Sequence, residues 1–544
     1  MSTELHFGTL FEQIADIIGD GPALVHGEDR RSWSGFDDAA ARLASFLADL
    51  GLAPDAKVAL YLFNSNEYLV AQFAAFKQRL VTVNVNFRYL DDELAYVLDN
   101  SDAEVLVYHA SLADRVAAVQ SRCPRVKAWV EVDERVVRRH TGVTRSLRWD
   151  DIIASHGPAD RMIRSEDDVY MLYTGGTTGW PKGVMFRMAD FVHRLLAGYS
   201  FRGLAVPTDG ASLLHSVRVL HDRGEAWTSI PACPLMHATG LWLGSFYAQI
   251  MGGSTVTLTG RRFGAAELWS AAQDEQANSI TIVGDAFARP MLEELDRAAA
   301  AGKPYDLRWL RIIQSSGAMW SAEVQRGLLG HLDVTLMDSM GSTEAGMGRR
   351  LATRTSTITT AAFDLLASTR VITDDLRLVE RGSGEVGRIA ASSSVPLGYY
   401  KDPVKSAATF PVIDGVRYAL AGDHATVAAD GSLVLLGRGS NCINTAGEKV
   451  FPEEVEEALK RHGDVVDALV VGLPDPVYGE RIAAVVALRQ GAAVHRDDLL
   501  AHVRSQLAGY KVPRMLIVVP EVTRAANGKA DYAWARAELA GERA

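Results

Sequence analysis

Between residues 36 and 108 the chain alternates two hydrophobic periods, and this alternation restricts the fold more than any other feature. Apolar residues recurring every three to four positions predict helices over 36–50, 67–79 and 91–99. Short continuous apolar runs predict buried strands at 58–63, 80–85 and 105–108. Gly51 ends the first helix, with Pro54 just beyond it. Strands joined by helices form a parallel sheet, because a parallel connection needs a crossover long enough to hold a helix. Apolar runs at 169–172, 255–259, 279–283 and 310–313 continue the pattern. The segments 131–149 and 207–227 are irregular and polar, and are read as a surface connection and a variable loop.

The chain has 544 residues, too many for a single core, so two or more domains are expected. Its character changes near Gly437-Arg438-Gly439-Ser440. Downstream, Pro452 sits at the first position of a helix, followed by Glu453, Glu454, Glu456 and Glu457, acids that suit the positive end of the helix dipole. Strands at 468–471 and 482–488 and a helix at 496–507 complete a small α+β unit. The expected division is a large domain over 1–437, a hinge over 438–440 and a small domain over 441–544.

A net charge of −11, with no basic face, disfavours general nucleic-acid binding. No apolar run is long enough to cross a membrane, and the first residues lack the pattern of a secretory leader. Three scattered cysteines, Cys123, Cys233 and Cys442, have no metal-ligand spacing. A reduced, cytoplasmic location is the expectation.

The chemistry is concentrated in Tyr173-Thr174-Gly175-Gly176-Thr177-Thr178-Gly179-Trp180-Pro181-Lys182-Gly183. Glycines let backbone N–H groups approach a ligand, threonines add hydroxyl donors and the lysine adds a mobile charge, a combination suited to phosphate. It is not a Walker A loop, since Lys182 follows Pro181 and precedes Gly183. Taken alone, the stretch also reads as a Gly/Thr-rich hairpin between two strands. Further stretches follow in order. They are Ser315-Ser316-Gly317-Ala318 at the end of an apolar strand, Asp338-Ser339-Met340-Gly341-Ser342-Thr343-Glu344, Gly422-Asp423 with Gly437-Arg438, Asn444 to Glu457, and Asn527-Gly528-Lys529.

This series resembles the adenylate-forming superfamily of acyl-CoA synthetases, peptide-synthetase adenylation domains and luciferases, over about residues 10 to 535. Within it, the wording of the phosphate loop, of Val283-Gly284-Asp285-Ala286 and of Gly447-Glu448-Lys449-Val450 is similar to AMP-forming acyl-CoA ligases of the fatty-acid and steroid side-chain type. The resemblance implies an α/β fold: a large domain of stacked α/β sheets with a distorted β-barrel, and a small mobile α+β lid. It implies ATP, Mg²⁺ and CoA, a hydrophobic carboxylic acid and, as in many relatives, a homodimer.

The resemblance also implies roles. Thr174, Gly175, Gly176, Thr177, Thr178 and Gly179 would wrap the phosphates, with Lys182 as a counter-charge. Ser316, Gly317, Ala318, Asp338, Ser339, Met340, Gly341 and Ser342 would line the AMP site. Thr343 would contact the AMP phosphate and Glu344 would hold Mg²⁺. Asp423 and Arg438 would bind the ribose. His237, Gly240, Gly284 and Asp285 would border the acid. Lys529 would act in adenylation. The small domain would then turn about Ser440, bringing Gly447 to the site so that a thiol arm can pass.

Three departures stand out. Met340 replaces an aromatic, Ser440 replaces Asp or Lys, and the last loop reads Arg524-Ala525-Ala526-Asn527-Gly528-Lys529. They bear on the acceptor more than on activation. Adenylation followed by transfer to a carrier protein or an amine, or activation of nitrite as in diazotases, stays open beside CoA ligation. So does a non-catalytic protein on the same fold, although Lys529 and Glu344 are both present.

Overall fold

The structure is a computed structural model that describes residues 5–133, 142–175, 180–317, 320, 322–358, 362–373, 375–420, 422–438, 443–450, 452–492, 494–523 and 531–541. The alternation near the N-terminus appears as expected. Helices Trp33–Asp49, Asn66–Lys77 and Asp91–Asn100 alternate with strands Lys57–Tyr61, Val81–Asn84 and Ala103–His109. Ser32 caps the first helix by accepting from the Gly35 N–H, which satisfies one of the donors a helix start leaves open. The three strands join Ala128–Val132 and Ser146–Arg148 in a five-stranded, fully parallel sheet.

A second sheet of 13 strands forms the centre of the large domain. Its parallel half runs through Pro22–His26, Ser254–Thr257, Thr228–Pro231, Ser279–Ile282, Ile312–Ser316 and Thr335–Gly341. Beyond Thr335–Gly341 the strands become antiparallel, through Gly346–Ala352 and Ala362–Leu365 to Leu433–Arg438, Asp423–Val427, Gly387–Ala391 and Thr369–Ile372. The antiparallel region in which a barrel was expected is thus hydrogen-bonded to the parallel sheet as its continuation. A hairpin, Val169–Gly175 and Pro181–Arg187, extends into a third sheet with Gly398–Tyr399.

The small domain has its own five-stranded sheet, in which Val465–Asp475 and Gly479–Leu488 form a long antiparallel pair. Two apolar clusters cover its faces. One is built from Val455, Leu459, Leu499 and Val503, and the other from Leu469, Val485, Ala535 and Leu539. No residue before Ile443 belongs to either cluster, which is what a separately cored second domain requires.

Two expectations fail, and the first is the segment 131–149, read as a surface connection, which contains the sheet strand Ser146–Arg148. The segment 207–227 contains a helix, Gly210–Asp222, started by a reciprocal cap between Asp209 and Ser212. Leu213, Val217 and Leu220 form its buried stripe, and the apolar Leu214 and Val219 beside it blur the period. Among the described residues, no helix is long and apolar enough to cross a membrane.

Candidate functional site

A cavity of about 440 Å³ opens where the carboxyl ends of the central parallel strands meet the hairpin. In that register Ser316 lies beside Ser339, so two expected AMP-site segments become neighbours although 23 positions separate them in sequence. Ser316, Gly317, Ser339, Met340, Gly341, Ser342 and Thr343 line one wall, and Thr174 lines another. Asn84 ties the walls together. Its side-chain amide donates to the carbonyls of Tyr173 (2.8 Å) and Met236 (2.6 Å), while its side-chain oxygen accepts from the Tyr173 N–H (2.6 Å). One buried amide thereby fixes both the root of the phosphate loop and the segment carrying His237.

Gly176 to Gly179, Ala318, Ser440 and Lys529 lie outside the described residues. The remaining expected residues divide. Glu344 is buried just behind Thr343 and accepts from the Tyr399 phenol at 2.7 Å. Lys182 donates to Asp402 at 2.6 Å and does not line the cavity, so its charge is shared with that carboxylate. Asp423 stands opposite Arg438 in the antiparallel ladder, which brings the two expected ribose ligands to one place on the sheet. Gly240, Gly284, Asp285 and Asp338 do not line the cavity. A Cβ on Gly240 would come within 2.2 Å of the Pro234 carbonyl oxygen, so this glycine lets two backbone segments touch. The π-helical turns over Thr239–Phe246 follow from the same packing against Pro231 to Pro234.

The small domain closes the cavity. Gly447 and Glu448 line it, and Gly447 has a φ of +80°. A Cβ at Gly447 would sit 2.1 Å from Cγ1 of Val283, so only glycine fits against the end of that large-domain strand. The Glu448 carboxylate accepts from Arg88 at 2.7 Å and lies 3.1 Å from Nε2 of His237. Burial pushes the Glu448 carboxyl up, but His237, Arg88 and Lys511 together outweigh it and hold the group below the ordinary carboxylate value. His237 is therefore a contact between domains as well as a cavity wall.

Two further charges are set by burial. Asp338 is pushed up to about 7 by burial and by the neighbouring Asp285 charge. Burial also lowers the Arg194 guanidinium, which lines the cavity and donates to the Thr343 carbonyl at 3.0 Å. Sequence reasoning missed Asn84, Arg88, Glu93, Arg194, Arg349, Tyr399 and Lys511. Each lies outside the glycine-rich motifs, and only tertiary packing brings it to the site.

Among the described residues, no three His, Cys, Asp or Glu side chains converge to hold a metal. Glu344 nonetheless offers a hard oxygen, fixed by Tyr399. Mg²⁺ takes one or two carboxylates together with phosphate oxygens and water, so this donor fits it.

The comparisons agree with this geometry. Residues 11–400 match the AMP-binding enzyme family, and residues 454–529 match the AMP-binding enzyme C-terminal domain. The chain is 41% identical over 538 residues to the medium/long-chain-fatty-acid–CoA/3-oxocholest-4-en-26-oate–CoA ligase of Mycolicibacterium smegmatis, covering 98% of this chain and 96% of that protein. It is 40% identical to the 3-oxocholest-4-en-26-oate–CoA ligase of Rhodococcus rhodochrous, covering 98% and 95%. Among solved structures, the amide bond synthetase McbA from Marinactinospora thermotolerans has the same fold, with a TM-score of 0.77 at 23% identity over 97% of this chain and 99% of that one. The motif order, the two-domain fold and the family matches together establish that this chain belongs to the AMP-binding enzyme family.

Proposed function

We infer that the chain is an AMP-forming acid–thiol ligase that activates a hydrophobic carboxylic acid of the fatty or steroid side-chain type and transfers it to CoA. The observation that carries the reading is one cavity walled by Thr174, Ser316, Gly317 and Ser339 to Thr343 and closed by Gly447 of the other domain. ATP and CoA are cytoplasmic substrates, and the reading assigns the enzyme to that compartment.

In the first half-reaction a carboxylate oxygen attacks the α-phosphorus of ATP and pyrophosphate leaves. The hydroxyls of Thr174, Ser342 and Thr343 donate to the phosphates. Ser342 is suited to this, because its buried hydroxyl has no hydrogen-bond partner among the described residues. Mg²⁺ on Glu344 supplies charge neutralisation to the phosphate oxygens. Gly317 and Met340 border the adenine, Asp338 stands on the same strand as Met340, and Asp423 with Arg438 holds the ribose. Lys529 enters from the small domain for this step.

In the second half-reaction the thiol sulfur attacks the acyl carbon and the acyl–phosphate C–O bond breaks, releasing AMP. The thiol arm passes beside Gly447, which lines the cavity and whose lack of a side chain lets this loop close against Val283. Arg88 and His237 hold Glu448 and with it the loop that borders this path. The described domain orientation therefore suits thiol transfer, and rotation about Ser440 suits adenylation.

The test is acid-dependent pyrophosphate release from Mg·ATP over fatty, aryl and steroid acids and nitrite, with and without CoA. The expected result is release that requires an organic acid and AMP turnover raised by CoA. Release with nitrite that ignores CoA would transfer the assignment to adenylation without thiolation.

A further inference from the structure

The hairpin that carries the phosphate loop holds a lysine whose charge is drawn away from the cavity. Thr174 and Lys182 stand directly opposite each other in the antiparallel pair Val169–Gly175 and Pro181–Arg187. Residues opposed in this way share one face of a sheet, and Thr174 lines the cavity. Lys182 therefore leaves the backbone on the cavity side, yet its ammonium donates to Oδ2 of Asp402 at 2.6 Å. The same ammonium lies 5.8 Å from the centre of the Tyr399 ring, whose phenol donates to Glu344 at 2.7 Å. The withdrawn lysine and the carboxylate that fits Mg²⁺ thus flank a single tyrosine.

Asp402 divides its two side-chain oxygens between two tasks. It is the N-cap of helix Pro403–Thr409, where Oδ1 accepts from the Lys405 N–H at 3.0 Å. Capping needs only that oxygen, and an asparagine would cap as well. Nor is the ion pair needed to join the two segments. Gly398 and Tyr399 already pair with Met185 and Val184 through the backbone, and the Tyr400 N–H donates to the Gly183 carbonyl at 2.8 Å. What a carboxylate adds over an asparagine is negative charge. The strongest influence on that charge is the Lys182 bond, with a smaller one from Lys405, and together they hold the Asp402 carboxyl below its ordinary value.

Building on the ligase reading, we propose that Asp402 is a positioning residue that withdraws the Lys182 ammonium from the β- and γ-phosphates once adenylation is done, and so speeds pyrophosphate release. A lysine ammonium is a mobile point charge on a flexible stem that can turn from one acceptor to another. ATP and pyrophosphate each have to draw it off Asp402, so the apparent affinity of both falls with the share of molecules in which it is withdrawn. Weaker holding of the product lowers its competition with ATP. The withdrawn lysine and the domain orientation that suits thiol transfer, with Gly447 at the cavity, occur in the same structure, as release before transfer requires.

The experiment follows acid-dependent ATP–pyrophosphate exchange in the full-length chain without CoA, with KM determined separately for Mg·ATP and for pyrophosphate. Asp402→Asn keeps the cap and removes the charge, and is expected to lower both KM values by about fivefold with Tm unchanged. Lys182→Met is expected to raise both. Adding Asp402→Asn to Lys182→Met should change neither value further, because the carboxylate acts through the lysine. Should Asp402→Asn fail to fold, Asp402→Ser, also a capping residue, carries the same comparison. KM values equal to the parent's, or raised, in Asp402→Asn overturn the proposal. So does an undiminished effect of that substitution in the absence of Lys182, which would mark the carboxylate as a support of the helix alone. Exchange missing from the parent with every acid would instead refute the ligase reading itself.

Discussion

The Lys511 ammonium lies 2.6 Å from a carboxylate oxygen of Glu93, with both side chains almost wholly buried where the small domain meets the large one. Glu93 sits in the first turn of helix Asp91–Asn100, and its other oxygen accepts from the Leu90 N–H at 3.1 Å and the Ala508 N–H at 3.2 Å. One carboxylate thus caps a helix and holds the neighbouring domain. Removing one partner of a buried pair strands the other, at a cost of about 3–5 kcal/mol.

Lys511→Met is therefore expected to weaken this domain orientation. Thioester formation should fall by about tenfold or more, while acid-dependent ATP–pyrophosphate exchange without CoA continues. Equal loss in both assays would show that the pair supports the fold in general instead of the docked arrangement.

Gly447 makes a sharper test of the same arrangement. Gly447→Ala would place a methyl 2.1 Å from Cγ1 of Val283, at a φ of +80° that side chains resist. The acyl-adenylate should accumulate, with CoA transfer reduced about a hundredfold or more. Adding Val283→Ala is expected to restore part of the transfer, since it removes the clash but leaves the backbone strain. A single variant with parental transfer would sink the docking role of Gly447.

The Glu448 contacts carry a sign in pH. Its carboxyl is held below the ordinary value of 4.5, so its contribution to docking is fully present above that value. The contribution is lost as pH falls through the lowered value. Fluorescence energy transfer between labels on the two domains should report domain separation on acidification, and Glu448→Gln should separate them already at neutral pH.

Asp338 behaves in the opposite sense. Its ordinary value of 3.8 is raised to about 7 in the fold, so the folded chain binds more protons across that interval. Stability contributed at this site must fall as pH rises from 3.8 towards 7, with the full cost above it. Asp338→Asn should raise Tm at pH 8, corresponding to on the order of 1–4 kcal/mol, and leave it unchanged near pH 3. No gain at pH 8 would mean that the carboxylate is satisfied where it stands.

The helices and strands of the first hundred residues were legible because their apolar periods are clean and an end is marked, as with Gly51, although the cap at Ser32 starts the first helix three residues before the predicted position. The helix over Gly210–Asp222 was not, because Leu214 and Val219 stand next to Leu213 and Leu220 and blur the three-to-four spacing of its buried stripe. One cavity wall was legible as a candidate nucleotide site because backbone close to phosphate demands glycine and small hydroxyl residues in a local run, as in Ser339 to Thr343. Gly240 is ambiguous for the same reason: a glycine required by close backbone packing against Pro234 looks identical in sequence to one that makes room for a substrate.

By itself the sequence determined the α/β class, the division into a large and a small domain and the glycine-rich and hydroxyl-rich motifs, since each is a demand on consecutive residues. Only the tertiary structure decided how the domains stand and which distant residues line the cavity. Glu93 and Lys511 are 418 positions apart, and Arg194, Tyr247 and Arg349 come from three separate elements. A pairing of this kind depends on where the chain returns in space, and charged residues that will be buried together carry no local mark of it.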